Sequence, residues 1–102
     1  MRIISRKALR AFAGRHPEAQ AGLDHWFRAA SAADWQNITD VRREFPHADA
    51  AEAASGNIVT IFNVAGNRFR LITAIHYNRS RVYVLLLLTH AEYSKDQWKR
   101  RL

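Results

Sequence analysis

The stretch IVTIFNVAGNRFRLITAIHYNRSRVYVLLLL, residues 58–88, decides the fold. Before it, apolar residues recur at helical spacing. From Ile58 the period drops to two and β-branched residues take over. Ile58 to Val64 reads as a strand. Ala65-Gly66-Asn67 supplies a turn, and Gly-Asn is a good pair for a tight hairpin. Arg68 to Tyr77 is a second strand, Asn78-Arg79-Ser80 another turn, and Arg81 to Leu88 a third strand. The four leucines Leu85 to Leu88 leave that last strand no polar face, so it is expected in the middle of the layer, buried on both sides.

Upstream, Met1 to Ile4 is short, apolar and fit for an edge strand. Ser5 suits an N-cap, and Ala8, Leu9 and Phe12 then share a helical face, with Gly14 as the expected stop. Pro17 suits the first turn of a second helix, whose apolar stripe is Leu23, Trp26, Phe27 and Ala30. Thr39 or Asp40 starts a third, short helix that Pro46 stops. Residues 47–57 (HADAAEAASGN) read as a small-residue connection whose alanines can equally hold a helical turn. Downstream, Thr89-His90-Ala91-Glu92 matches the capping-box pattern and opens a terminal helix through about Trp98. Helices first and antiparallel strands after predict an α+β fold. Residues 1–102 form one domain: a small antiparallel sheet of three to four strands, N-terminal helices on one face and a short C-terminal helix.

A chain of 102 residues with 48% hydrophobic and 25% charged residues builds one core of modest size. It has no cysteine, hence no disulfide, zinc knuckle or thiol nucleophile. The longest apolar run, Val82 to Leu88, falls short of the roughly 20 residues that span a bilayer, and the first residues hold no apolar stretch long enough for a signal peptide. A cytoplasmic protein is the expectation. The net charge of +7 is unevenly spread. Residues 1–15 hold five cations and no acid, residues 16–65 three cations against seven acids, and residues 66–102 eight cations against two acids. If the two basic ends meet, they form one patch suited to a polyanion or an acidic partner. Otherwise the charge serves solubility.

Alternation along the second strand puts Arg68, Arg70 and His76 on one face, and Phe69, Leu71, Thr73, Ile75 and Tyr77 on the face toward the helices. Two exposed arginines present planar donors to phosphate oxygens, although charged pairs on open sheet faces are common. If Thr89 caps its helix, His90 sits in the first turn and Tyr93 one turn on, on nearly the same face. An imidazole and a phenol there can move protons. The plainer alternative is a capping Glu92, a core Tyr93 and a surface His90. The five histidines lack metal-ligand spacing, and no P-loop, GxSxG or dinucleotide fingerprint occurs, so neither metal nor cofactor is expected. Arg2, Arg6, Lys7 and Arg10 are candidate phosphate-positioning residues.

MRIISRKALR-x-F at the start, RHP at 15–17, Trp26, ADW at 33–35, FP at 45–46, FNVAGNRFRLI at 62–72 and THAEY at 89–93 together resemble the HigB-type toxins of the RelE/ParE-like superfamily, from type II toxin–antitoxin systems. The resemblance runs from end to end with similar spacing. It implies a RelE-like fold and a small, basic, metal-independent endoribonuclease that cuts messenger RNA on the translating ribosome and inhibits translation. It also implies neutralisation by a cognate antitoxin, a helix-turn-helix DNA-binding protein of HigA type, so that DNA is met only through that partner. Arg70 matches the strand arginine of the family, His90 and Tyr93 fall in the closing motif, and Arg68 and Lys95 are looser RNA-binding assignments. The sequence departs from the family at Leu85 or a neighbour, where an arginine is often found. Two other readings stay open: a toxin of the same fold acting on a protein such as gyrase, as ParE relatives do, and an RNA- or ribosome-binding module with weakened catalysis.

Overall fold

The computed structural model describes residues 1–102. The three strands read from the change of period are present as β3 (Ile58–Val64), β4 (Phe69–His76) and β5 (Arg81–Thr89), and they pair antiparallel in sequence order. Two further strands close the edges. β1 (Arg2–Ile4) is an edge strand, as anticipated, and lies beside β5 but parallel to it, so the sheet is mixed rather than wholly antiparallel. A helical layer separates β1 from the rest of the sheet in sequence, and no hairpin turn dictates its direction. β2 (Asp49–Glu52) pairs antiparallel with β3 inside the segment expected to be a connection. Its alanine-rich sequence has low strand preference. The return at 53–57, where the Ala53 amide donates to the Asn57 carbonyl at 2.8 Å, sets its register against β3. The order across the sheet is β1-β5-β4-β3-β2.

The helices pack on one face. α1 (Arg6–Arg15) buries Leu9 and Phe12 and ends at His16, so Gly14 lies within it. Pro17 opens a single 3₁₀ turn, and α2 (Gln20–Ala32) buries Leu23, Trp26 and Ala30. α3 (Ile38–Glu44) is capped by Asn37, whose Oδ1 accepts from the Asp40 amide at 3.0 Å; the cap therefore precedes the expected Thr39 or Asp40. The helix stops before Phe45-Pro46, since a residue ahead of proline is driven out of the α region. Trp26, Trp35, Phe45 and Phe62 interlock beneath these helices, with Trp26 and Phe62 edge-to-face at 5.5 Å. No helix is long and apolar enough to cross a membrane.

The second sheet face is where sequence reading departs most from the structure. Val59, Ile61, Ile72 and Leu88 form a small second core there under Trp98. The lid over it is α4 (His90–Ser94) followed by a 3₁₀ stretch, Gln97–Arg101, so the terminal helix breaks before Trp98. Asp96, at φ 59°, makes the break. The lid makes β4 the strand buried on both faces: Phe69 through Thr73 are all buried. The leucine run of β5 is not. Register shifts between Ile72 and Thr73, which pair with Leu86 and Val84 and leave Leu85 as a bulge, 37% exposed. The extra residue reverses the alternation. Val82, Val84 and Leu87 face the helices, while Leu86 and Leu88 face Trp98. An unbroken apolar run thus marks a change of face, not burial on both faces.

Candidate active site

The β3–β4 turn builds the centre of the site. Ala65 and Gly66 both take left-handed φ, 53° and 67°. This four-residue turn ends at Arg68, outside the strand, which corrects the reading of Arg68 and Arg70 as neighbours on one strand face: Arg68 is exposed in the turn. Arg70 enters the strand opposite Asn63 and is only 8% exposed, so it is not the open surface arginine expected. Its guanidinium folds back on the turn. Nη1 donates to the carbonyls of Asn67 (3.1 Å) and Phe69 (3.2 Å), and Nη2 to Oδ1 of Asn67 (3.1 Å). No carboxylate reaches it, because the ion pairs are His16–Glu18, Arg42–Asp49, Arg43–Asp40 and Lys99–Asp96. The guanidinium carries five N–H donors. Those left over, Nε–H and the second Nη2–H, lie along the edge that grips a carboxylate or phosphate in two-point fashion.

Tyr93 closes over this group, with the guanidinium carbon 5.2 Å from its ring centre. Such a cation–π contact contributes about 0.5–2 kcal/mol. Tyr93 also stacks on Trp98 at 5.6 Å, and Trp98 Nε1 donates to the Tyr93 carbonyl at 3.1 Å. The buried lid thereby holds the phenol in place. α4 starts as the sequence predicts: Thr89 accepts from the Glu92 amide, and Glu92 accepts from the Thr89 amide at 3.0 Å. That backbone hydrogen bond is the main cause that holds the Glu92 carboxyl below the ordinary glutamate value, against the opposing effect of burial. The His90 amide donates to the Arg68 carbonyl at 2.8 Å, tying α4 to the same turn. The turn thus holds Arg70 through Asn67 and the start of α4 through the Arg68 carbonyl.

His90 is exposed, and Ser94 orders its ring. Ser94 Oγ donates to the His90 carbonyl at 2.9 Å and lies 3.3 Å from Nδ1. This contact leaves Nε2 as the ring nitrogen without a hydrogen-bond partner in the protein.

The remaining candidates scatter. Lys95, exposed, caps the C-terminal end of α4 near the site. Arg6 and Arg10 line a cleft between α1 and α2 with Asp24 and Phe27, where Arg6 sits 4.5 Å over the Phe27 ring. They occupy the helical side of the sheet, opposite Tyr93 and Trp98. Helix phase decides this, because the apolar positions Leu9 and Phe12 point to the sheet and turn Arg6 and Arg10 away from it. Lys7 is an exposed residue of α1. Arg2 stands on β1 beside Arg81, so the two basic ends of the chain do meet, but at the far end of the sheet from Arg70. Asn67, Asn63 and Ser94 were not singled out from sequence. Asn67 lies three residues before Arg70 in a turn, a spacing that lets a side-chain amide reach back to the strand, and Ser94 lies at i+4 from His90 on a helix.

Comparison with known proteins gives the family. Three relatives are 25% identical to this chain over 93 residues, covering 91% of it and 88% of their own length. They are the mRNA interferase toxin HigB of Escherichia coli (strain K12) and the proteins called mRNA interferase HigB in Escherichia coli O157:H7 and Shigella flexneri. Residues 19–96 match a family described as HigB_toxin, RelE-like toxic component of a toxin-antitoxin system. That match takes in α2, α3, the hairpin with Arg70 and α4 with His90 and Tyr93, and it makes this chain a member of the HigB toxin family, the toxic half of a toxin–antitoxin pair.

Proposed function

We propose that this toxin is an mRNA interferase, an endoribonuclease that cuts messenger RNA on the ribosome without a metal ion. The observation that carries the reading is the Arg70 guanidinium: buried, without an acidic partner, stacked on Tyr93 and keeping one two-point edge free. A charge held this way contributes little to stability and is suited to a phosphate. The names of the relatives support RNA as the substrate. Arg70, His90 and Tyr93 supply a cation, an imidazole and a phenol, which suit attack by the substrate's own 2′-hydroxyl.

In this reading His90 Nε2 takes the 2′-hydroxyl proton as the oxygen attacks the adjacent phosphorus. Arg70 stabilises the negative charge that builds on the phosphoryl oxygens. The P–O5′ bond breaks, the leaving oxygen takes a proton from the Tyr93 hydroxyl, and the products are a 2′,3′-cyclic phosphate and a 5′-hydroxyl. Arg68 and Lys95 flank the scissile phosphate as electrostatic contacts. The ribosome orders the message, which supplies orientation that so small a site lacks. The antitoxin is a helix-turn-helix DNA-binding protein of HigA type.

Mapping RNA 5′ ends on programmed ribosomes tests this. Cleavage leaving a 5′-hydroxyl, abolished by one 2′-deoxy substitution 5′ of the cut and by Arg70→Ala, is the expected result. A 5′-phosphate product refutes the mechanism. DNA damage on induction, with intact messages, refutes the substrate.

A further inference from the structure

The sheet face that carries Arg70 has an open second half. β4 keeps its alternation, so His76 stands on the Arg70 face six residues along, about 20 Å away at 3.3 Å per residue. On β5, ahead of the bulge, Val82 is buried against the helices, so Arg81 and Tyr83 point to the opposite face. The Tyr83 and His76 rings meet there with centres 5.0 Å apart. On β1 it is Ile3 that packs toward the helices, which turns Arg2 and Ile4 to the same open face. Register completes the row: Arg2 is aligned with Arg81, and Arg81 with His76, across three adjacent strands. Arg79 precedes them in the turn.

Like charges on adjacent strands repel, and a sheet gains no stability from them. Neither Arg2 nor Arg81 has an acidic side chain to offset this, since the ion pairs of the molecule lie elsewhere. A polyanion laid across both removes the repulsion, and the aromatic pair beside them offers a surface on which a base can stack. An acidic protein segment meets the charge but not the aromatic pair.

We propose that Arg2, Arg81, His76 and Tyr83 form a second RNA-binding row, separate from the cleavage site, which holds backbone phosphates through the two arginines and a base against the aromatic pair. The proposal rests on the reading of this toxin as RNA-cutting. Messenger and ribosomal RNA share the chemistry, and the test separates them.

The test compares the wild type with the Arg2→Gln/Arg81→Gln and Arg2→Lys/Arg81→Lys double variants. Binding is measured across salt concentrations to a single-stranded RNA oligonucleotide and, separately, to ribosomes without message. The glutamine variant should lose roughly 10- to 100-fold in affinity at low salt for at least one RNA. Its plot of log affinity against log salt should be shallower by about 1.4, the share of two phosphate contacts on a single strand. The lysine variant should keep the wild-type slope. Single-turnover cleavage at saturating toxin should be unchanged in both. The oligonucleotide and ribosome arms identify which RNA the row holds. Unchanged affinity and slope in both arms overturns the proposal, and so does loss of antitoxin binding with RNA binding intact. If the wild type cuts no RNA, the function reading fails, while the binding arms still report on the row.

Discussion

Replacing Arg70 by methionine separates two roles a buried guanidinium can have. If Arg70 is structural, its loss removes three hydrogen bonds from a charged donor, about 1.5 kcal/mol each, and a stacking contact with Tyr93 of about 1 kcal/mol. Two of the three acceptors, the carbonyl and side chain of Asn67, belong to an exposed turn and can take water instead. The buried Phe69 carbonyl is left without this partner, at about 1–3 kcal/mol. Against these losses stands the desolvation of an unpaired charge, several kcal/mol in a protein interior. Methionine avoids that penalty and still packs on Tyr93. The opposing effects leave the variant within about 2 kcal/mol of the wild type, a Tm change within roughly 15 °C at 4–8 °C per kcal/mol. The cleavage rate constant on ribosomes should nevertheless fall by roughly 10²- to 10³-fold, the effect of losing one well-placed charge-stabilising donor. Thermal unfolding and single-turnover cleavage on the same preparation decide the matter. A variant more than about 4 kcal/mol less stable, or one that cuts at the wild-type rate, refutes the reasoning.

Asn67→Ala frees one edge of Arg70 and should lower the single-turnover rate roughly tenfold with little change in RNA affinity; a loss confined to affinity contradicts a positioning role. Trp98→Ala uncovers the second core and should cost about 3–5 kcal/mol, read by denaturant unfolding, and a cost under 1 kcal/mol would show that the lid is loosely held. Gly22→Ala places a methyl 2.9 Å from Val64 Cγ1 and 3.0 Å from the Ala65 amide nitrogen; overpacking of about 1–3 kcal/mol should exceed the roughly 1 kcal/mol gained in helix preference, so a net gain in stability would disprove the close approach of α2 to the turn. Glu92 is held below its ordinary pKa by the Thr89 amide, so its contribution is complete above the usual glutamate range and is lost as pH falls through the depressed value. Amide exchange in α4, corrected for its intrinsic pH dependence, should accelerate in that acid window in the wild type and stay flat in Glu92→Gln; parallel profiles for the two would remove Glu92 as the cause.

What the sequence determined by itself was local or periodic. Period two from Ile58 sets three strands, and pleating alone then sends Phe69 and Leu71 to the helices and Arg70 away from them. Thr89 and Glu92, three residues apart, specify a helix start that places His90 and Tyr93 whatever lies beyond. The order of motifs along the chain carried the family. What the tertiary structure decided was everything that depends on partners distant in sequence. β2 is a strand because β3 offers it an edge, not because alanines favour extension. Leu85 bulges because β4 and β5 must bring Val82 and Leu87 to one core and Leu86 and Leu88 to the other, and no local preference encodes that choice. Arg70 is buried because the C-terminal segment folds back and sets Trp98 and Tyr93 over the second sheet face, so an arginine that alternation alone leaves in solvent becomes a held charge. Arg2 meets Arg81 only because the edge strand β1 pairs parallel with β5, and that contact is invisible in a sequence that separates them by most of the chain.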